Sequence, residues 1–117
     1  MASDFSSYMR EKLLERGIRQ QQVFRGADIS EKYGYKLISG EKHTRQRDII
    51  IKLCFAAGFT LDELSEALIL YGMAPLYPRN GRDEVFIRAL SNGIREISDI
   101  NDRLEQGGYE KLYESRR

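Results

Sequence analysis

The sequence predicts an all-α fold, and three observations support this prediction. Apolar residues recur three and four positions apart in most of seven successive segments, which is the pattern of helices that bury one face. Residues suited to helix ends, such as Ser30, Thr60 and Gly40, bound several of these segments. No segment shows the alternation of apolar and polar residues that is typical of a half-buried strand. The 117 residues are expected to form one compact unit around a single modest core.

The first helix is expected to run from Asp4 to Arg16. Phe5, Met9 and Leu13 are spaced four residues apart and would form its buried stripe. Gly17 follows, and glycine readily adopts the left-handed conformation that ends many helices. The segment is therefore predicted to be an amphipathic helix with a defined end.

The second and third helices are expected to be short. The segment Arg19–Arg25, "RQQQVFR", contains good helix formers, and the triplet "GAD" at residues 26–28 is expected to break it. Ser30 can cap the third helix, and Gly40 is placed to end it. The buried side of this third helix would consist of Tyr33, Leu37 and Ile38.

The fourth helix contains "DIIIKLCFAAG", where the β-branched run at residues 49–51 also allows a buried strand. Its length, from about Arg45 to Ala57, favours a helix, with Thr44 as its cap and Gly58 as its end. A helix that is apolar on most sides belongs at the centre of the core. Cys54 is then expected to be a small buried apolar residue rather than a reactive thiol.

The fifth helix has the clearest start in the chain. In "FTLDEL", Thr60 and Glu63 have the spacing of a capping box, and the helix is expected to continue to about Leu70. Phe59 and Leu64 lie at the positions of a hydrophobic staple across this helix start.

Two further helices are expected after the linker-like stretch "MAPLYPRNGRD". Asn80 or Asp83 can cap the sixth helix, and the pair Asn92-Gly93 would end it. The seventh helix is expected around Ser98 to Gln106.

Composition argues against several classes of protein. One cysteine and one histidine, Cys54 and His43, are too few for an internal disulfide or a typical structural zinc site, so no metal or cofactor is expected. The longest nearly apolar run, Ile49 to Phe59, is too short to cross a membrane, and no signal-peptide core is evident, so a cytoplasmic protein is expected. No phosphate-binding glycine loop, paired-carboxylate arrangement or nucleophile motif is found, and neither an enzyme nor a small-molecule substrate is expected.

Charge is unevenly distributed along the chain. Residues 1–52 contain 11 Lys and Arg against 7 Asp and Glu, a net of +4, whereas residues 53–117 contain 8 against 11, a net of −3. A basic half predicts an anionic partner for that half, although an uneven solvated surface is the simpler alternative.

The second and third helices, joined by a tight turn, form a helix-turn-helix pattern. Tyr33 and Leu37 would dock the third helix, which leaves its polar residues free to meet base edges while the flanking basic residues meet phosphates. The polar candidates on and beside the third helix are Gln20, Gln21, Glu31, Lys32, Tyr35 and Lys36. The basic stretch that follows contributes Lys42, His43, Arg45 and Arg47. His43 is expected to be a loop residue rather than a catalytic base, because it has no nearby relay partner.

These segments resemble the Xre/Cro phage-repressor-like helix-turn-helix family. The resemblance rests on "IRQQQVF" in the second helix, "IS" and "YGYKLISGEKHTRQRDIIIKL" from the third helix onward, and "GFTLDEL", and it covers roughly residues 5–71. The wider pattern "Y…ISGEK…RQRDIIIKL…LDEL…LYPRNGRD" is similar to a bacterial subgroup with a C-terminal helical extension.

The resemblance implies a five-helix lambda-repressor-like helix-turn-helix domain over residues 1–72. It also implies a C-terminal extension over residues 73–117, with two additional helices packed on that domain. The helix that begins at Ser30 would read the major groove. The family's base-reading roles would fall on Gln20, Gln21, Glu31, Lys32, Tyr35 and Lys36, and its phosphate-contacting loop on Gly40, Lys42, His43 and Arg45.

The sequence departs from the family pattern at several positions. Arg19 stands where the family usually has a Ser or Thr cap. Phe24 occupies a small-residue position in the second helix, and Gly34 occupies the apolar position that faces it. We interpret these two as a volume swap, in which the large ring fills the space of the missing side chain. Glu31 would either accept a hydrogen bond from cytosine or repel a phosphate.

The expected function is sequence-specific binding to double-stranded DNA as a transcriptional regulator. A homodimer through the C-terminal helices, Asp83 to Leu112, is expected because one recognition helix contacts only a few base pairs. The alternative is an adaptor whose degenerate helix-turn-helix binds protein instead of DNA, as the residues Phe24, Gly34 and Glu31 suggest. A generic helical bundle is a further alternative for residues 18–40.

Overall fold

Seven α-helices and no strand make up residues 4–112, the part of the chain that the computed structural model describes. The predicted all-α class is confirmed for these residues. The helices are α1 Phe5–Arg16, α2 Gln20–Ala27, α3 Glu31–Ser39, α4 Arg47–Ala56, α5 Leu61–Leu70, α6 Gly81–Ser91 and α7 Ile97–Gln106. Residues 113–117 of the expected C-terminal extension lie outside the described part.

Helix α4 lies at the centre of the molecule. Every residue from Ile49 to Phe55 is buried, and α2, α5 and α7 all pack against this helix. A helix surrounded on all sides needs apolar residues all round, which explains the β-branched run. Cys54 is fully buried, and burial raises the pKa of its thiol, so the expectation of a packing residue is confirmed.

Side-chain caps define most of the helix starts. The Ser30 hydroxyl accepts a hydrogen bond from the Tyr33 N–H, and the Thr60 hydroxyl accepts one from the Glu63 N–H, both at 3.2 Å. Asn80, rather than Asp83, caps α6, because its side-chain oxygen accepts from the Asp83 N–H at 2.9 Å. These bonds satisfy N–H groups that have no partner inside the helix.

The predicted break at residues 26–28 is confirmed, although α2 extends two residues beyond Arg25, the expected end of the helical segment. Helix α2 continues through Gly26 to Ala27 and ends at Asp28, which has a positive φ of 57°. A Cβ atom at Gly26 would lie only 3.2 Å from the Cβ of Ala56 in α4. The glycine therefore lets α2 approach α4 closely, and this is a tertiary effect that local propensity does not register.

Thr44 does not cap α4, contrary to expectation. The helix begins at Arg47, two residues later than predicted, with Gln46 in the cap position. Thr44 is buried, and its hydroxyl accepts from the Gln46 N–H at 3.0 Å. Its own N–H donates to the Tyr71 hydroxyl at 2.9 Å, so Thr44 anchors the preceding loop to the core.

Helices α6 and α7 belong to the same apolar core as α1–α5. Phe86, Ile100, Leu104 and Leu112 are buried in the cluster that includes the α4 residues. After α7 the chain folds back, and the Asn101 side chain pairs with both the N–H and the carbonyl of Leu112. None of α1–α7 has the length and apolar character required to cross a membrane.

Two reciprocal ion pairs join the starts of α4 and α6. The Arg47 guanidinium donates to both carboxylate oxygens of Asp83, each at 2.9 Å. Arg82 donates in the same two-pronged manner to Asp48, with both distances again 2.9 Å. Such paired bonds fix direction as well as distance, so they orient α6 on α4.

Candidate nucleic-acid interface

Helices α2 and α3 present one packed side and one open side. Val23, Phe24 and Ala27 are the buried residues of α2, and Gly34, Leu37 and Ile38 are those of α3. On the outward side of α3, Glu31, Lys32 and Tyr35 are exposed and Lys36 is half-buried. Residues three and four apart share a helix face, so these four polar candidates project from the same side.

A first cleft, the α1–α2 cleft, brings Gln20, Gln21 and Tyr35 together. It has a volume of about 680 Å³ and lies where α1, the start of α2 and the middle of α3 meet. Its full lining consists of Arg10, Leu13, Leu14, Ile18, Arg19, Gln20, Gln21 and Tyr35. The predicted amides therefore share one concave surface with the predicted tyrosine and with two arginines.

A second cleft, the α1–loop cleft, contains the predicted phosphate-contacting loop. Its volume is about 380 Å³, and it lies between the start of α1 and the segment after α3. Its polar lining includes Asp4, Ser6, Arg10, Ser39, Lys42 and His43, and Gly40 lies beside them. Arg10 lines both clefts, so the two form a continuous surface around this side chain.

Sequence reasoning missed Arg10 and Arg19. Both side chains are exposed, and Arg19 immediately precedes α2. Ser6, Arg10 and Leu14 are spaced four apart and run along one side of α1, beside its buried stripe. That spacing was visible in the sequence, but only the packing of α1 against α3 shows which surface it faces.

The start of α2 is better defined than its arginine cap suggested. The Gln22 side-chain oxygen accepts a hydrogen bond from the Arg19 N–H at 2.8 Å. This is the second half of a capping box, in which the third helical residue reaches back to the cap. The bond fixes the backbone at the point where Gln20 and Gln21 enter the cleft.

The loop between α3 and α4 is anchored from beneath by Tyr71. The imidazole of His43 stacks on the Tyr71 ring, with ring centroids 4.3 Å apart and an interplanar angle of 16°. Gly40 adopts a positive φ of 88°, and the Lys42 N–H returns to the Lys36 carbonyl at 3.0 Å. Lys42 is exposed on this fixed loop, which makes its charge available to a partner.

Arg47 is occupied by contacts within the protein. Besides its ion pair with Asp83, its guanidinium donates to the Ala74 carbonyl at 3.0 Å and to the Pro75 carbonyl at 2.8 Å. Burial alone would raise the pKa of Asp83, but hydrogen bonds from Arg47 and the Tyr77 N–H lower it below its usual value. The expected phosphate contact of Arg47 would require these bonds to break, so we leave Arg47 out of the candidate interface.

The remaining candidates are open to solvent. Arg45 is exposed in the loop, and Ser30 is exposed while its hydroxyl caps α3. Glu31 is exposed at the first turn of α3, where a carboxylate interacts favourably with the helix dipole. No group of three or more possible metal ligands occurs among residues 4–112.

Phe24, Gly34 and Tyr35 form a packed group at the junction of α2 and α3. A Cβ atom placed on Gly34 would lie 2.6 Å from Cε1 and Cγ of the fully buried Phe24 ring. The predicted volume swap is therefore confirmed in its geometry. The Phe24 ring also packs edge-to-face with Tyr35, at a centroid distance of 5.0 Å and an angle of 82°.

Comparisons with protein-family models, with curated proteins and with solved structures find no match for this chain.

Proposed function

We propose that this protein is a sequence-specific, double-stranded DNA-binding transcriptional regulator of the helix-turn-helix type, with α1–α5 arranged as in the Xre/Cro proteins that its sequence resembles. The observation that carries the proposal is the surface around Arg10, where two clefts join basic and amide side chains. Such a protein would act in the compartment that holds the DNA, which is the cytoplasm of a bacterial cell.

Phosphates are the first ligand that this surface suits. Arg10, Arg19, Lys32, Lys42 and Arg45 are exposed cations around the two clefts and on the adjoining helix and loop. None of them has an ion pair within the described residues. Cations that form no ion pair can displace the counterions condensed on DNA, and this release drives binding.

Bases are the second ligand. Helix α3 has nine residues and an open polar side, and a helix of this width fits the major groove. Gln20 and Gln21 have the amide groups that pair in two-pronged fashion with adenine, and Lys32 can reach guanine. Glu31 can accept from the amino group of cytosine.

The experiment is a salt titration of binding to a fluorescent DNA duplex. Binding through phosphates predicts that the logarithm of the affinity falls linearly with the logarithm of the salt concentration, and that Arg10→Ala and Lys42→Ala each reduce the slope by about 0.9. Arg79→Ala removes the same charge from an exposed site between α5 and α6, outside both clefts and outside the expected dimer surface, and it should leave the slope unchanged. Equal effects of all three substitutions would overturn the assignment of this surface.

A protein-binding adaptor is the second candidate function. The observation that favours it is Leu14, which lines the α1–α2 cleft with 83% of its surface exposed, although a DNA-binding surface has little use for such a residue. In this case no duplex would bind with a steep salt dependence, and Leu14→Ser would abolish partner binding without changing stability.

A further inference from the structure

Tyr35 is held in place by a contact that sequence patterns do not predict. Its ring is 41% exposed and lines the α1–α2 cleft beside Gln20 and Gln21. The ring also forms an edge-to-face pair with Phe24, which is itself completely buried. The tyrosine therefore contacts a core residue while part of its surface remains open to the cleft.

Gly34 makes this contact possible. Any side chain at position 34 would occupy the space of the Phe24 ring, since even a Cβ atom would lie 2.6 Å from two ring atoms. With glycine there, the ring approaches the α3 backbone one residue before Tyr35. Phe24 can then pack edge-to-face against the tyrosine ring, and such a pair at 5.0 Å has the preferred geometry of two aromatic rings.

We propose that Phe24 and Gly34 are positioning residues that hold the Tyr35 ring against the C5 methyl group of a thymine in the DNA half-site. The proposal rests on the proposed function, because it names what one part of that DNA-binding surface reads. Phe24 and Gly34 do not touch DNA themselves and act through Tyr35.

The chemistry of the major groove identifies thymine as the base that Tyr35 contacts. Among the base edges exposed there, only thymine presents an apolar group, its methyl, and apolar side chains recognise thymine by contact with it. The Tyr35 ring is an exposed apolar surface that lies on α3 itself, among the helix's exposed polar residues. Gln20 and Gln21, in the same cleft, suit the adenine of a neighbouring A·T pair.

The test replaces thymine by uracil, which lacks only the methyl group. A site selected by the wild-type protein from random duplexes is synthesised with each thymine replaced in turn. We expect one position in each half-site where uracil weakens binding about fourfold, which corresponds to the burial of one methyl group. A selected half-site without thymine, or without any sensitive position, would overturn the proposal.

Variants of Tyr35 assign the effect to its ring. Tyr35→Ala should bind the thymine and uracil duplexes equally well, whereas Tyr35→Phe keeps the ring and should keep the fourfold ratio. Persistence of the ratio in Tyr35→Ala would exclude Tyr35 as the reader.

The supporting role is tested by Phe24→Leu with Gly34→Ala, which exchanges ring volume for a methyl group, and by Phe24→Leu alone. In each variant whose thermal unfolding remains cooperative, the thymine-to-uracil ratio should fall below about twofold while the salt slope stays that of the wild type. A merely structural defect would weaken binding to both duplexes and leave the ratio at about fourfold, which would contradict the proposal.

The site selection and the uracil scan together separate the role of Tyr35 from the proposed function. If the wild-type protein selects no duplex at all, both fail together. If it selects a site but the uracil scan is flat, DNA binding stands and the role of Tyr35 is withdrawn.

Discussion

Gly34 and Phe24 are sterically complementary. The glycine lies in the middle of a helix, where it costs about 1 kcal/mol relative to alanine. The cost is offset by the packing of a whole aromatic ring in the space a side chain would occupy. The two departures from the pattern of the family that the sequence resembles are therefore one structural feature, a single packed contact between α2 and α3.

The complementary packing of Gly34 and Phe24 predicts how substitutions of these two residues change the free energy of unfolding. Gly34→Ala should lower the free energy of unfolding by about 1–3 kcal/mol through overpacking. Phe24→Ala should lower it by about 3–5 kcal/mol through the cavity that it leaves. Gly34→Ile combined with Phe24→Ala should be more stable than the worse single variant, as measured by denaturant unfolding. A double variant no more stable than that single variant would disprove the volume swap.

Glu63 couples three groups at the start of α5. Its carboxylate accepts from the Thr60 N–H at 2.9 Å and forms ion pairs with Arg16 and Lys12 of α1. The hydrogen bond from Arg16, supported by the one from the Thr60 N–H, lowers the pKa of Glu63 from 4.5 to about 2. A group with a lowered pKa stabilises the fold above its usual pKa and loses that contribution as the pH falls toward the lowered value.

We therefore expect stability to fall as the pH drops from about 4.5 to 2. Glu63→Gln should lower the free energy of unfolding at neutral pH by about 2 kcal/mol, because a charged hydrogen-bonded group is lost. It should also flatten the decline in stability between pH 4.5 and 2. Glu66→Gln, an exposed carboxylate on the same helix, is the matched control for denaturant unfolding at each pH. An equally steep decline in the Glu63 variant would show that other groups cause it.

At the scale of elements, the sequence predicts the helices well and their boundaries less well. All seven helices follow from local information, namely apolar spacing, caps such as Ser30 and Thr60, and glycine ends such as Gly40. The two-residue differences at the end of α2 and the start of α4 arise where distant residues intervene. Gly26 packs against Ala56, and Thr44 is hydrogen-bonded to Tyr71. The sequence around Gly26 and Thr44 does not indicate either contact.

The candidate site could also be predicted only in part from the sequence. The polar side of α3 follows from its helical period, so Lys32 and Tyr35 could be predicted. Arg10 could not, because it joins the site only through the packing of α1 against α3. The ion pair of Arg47 could not be predicted either, because its partner Asp83 lies 36 positions away in sequence.

At the scale of the whole molecule, α6 and α7 extend the core. Their buried residues, including Phe86 and Leu104, share one cluster with α4, and the ion pairs of Arg47 and Arg82 fix α6 in place. Truncation near Arg79 would remove α6 and α7, and the expected homodimer through these helices predicts that affinity for DNA then falls. Truncation would also expose apolar core surface, so a loss of affinity would not by itself demonstrate a dimer.

A stoichiometric titration tests the dimer without altering the chain. At DNA concentrations well above the dissociation constant, anisotropy should rise linearly and reach a plateau at two protein chains per duplex site, because a two-fold site accommodates two recognition helices. A plateau at one chain per site would contradict dimeric binding.

Selection from a pool of random DNA duplexes tests the central claim most directly. If the surface around Arg10 binds DNA specifically, repeated selection should enrich a two-fold symmetric site whose half-sites lie about one helical turn, roughly 10 base pairs, apart. Substitution of Gln20, Gln21 or Lys32 by alanine should relax the preference at particular positions, while Arg79→Ala should leave it unchanged. A pool that stays random after selection at low salt would contradict the claim and would favour a protein partner for this surface.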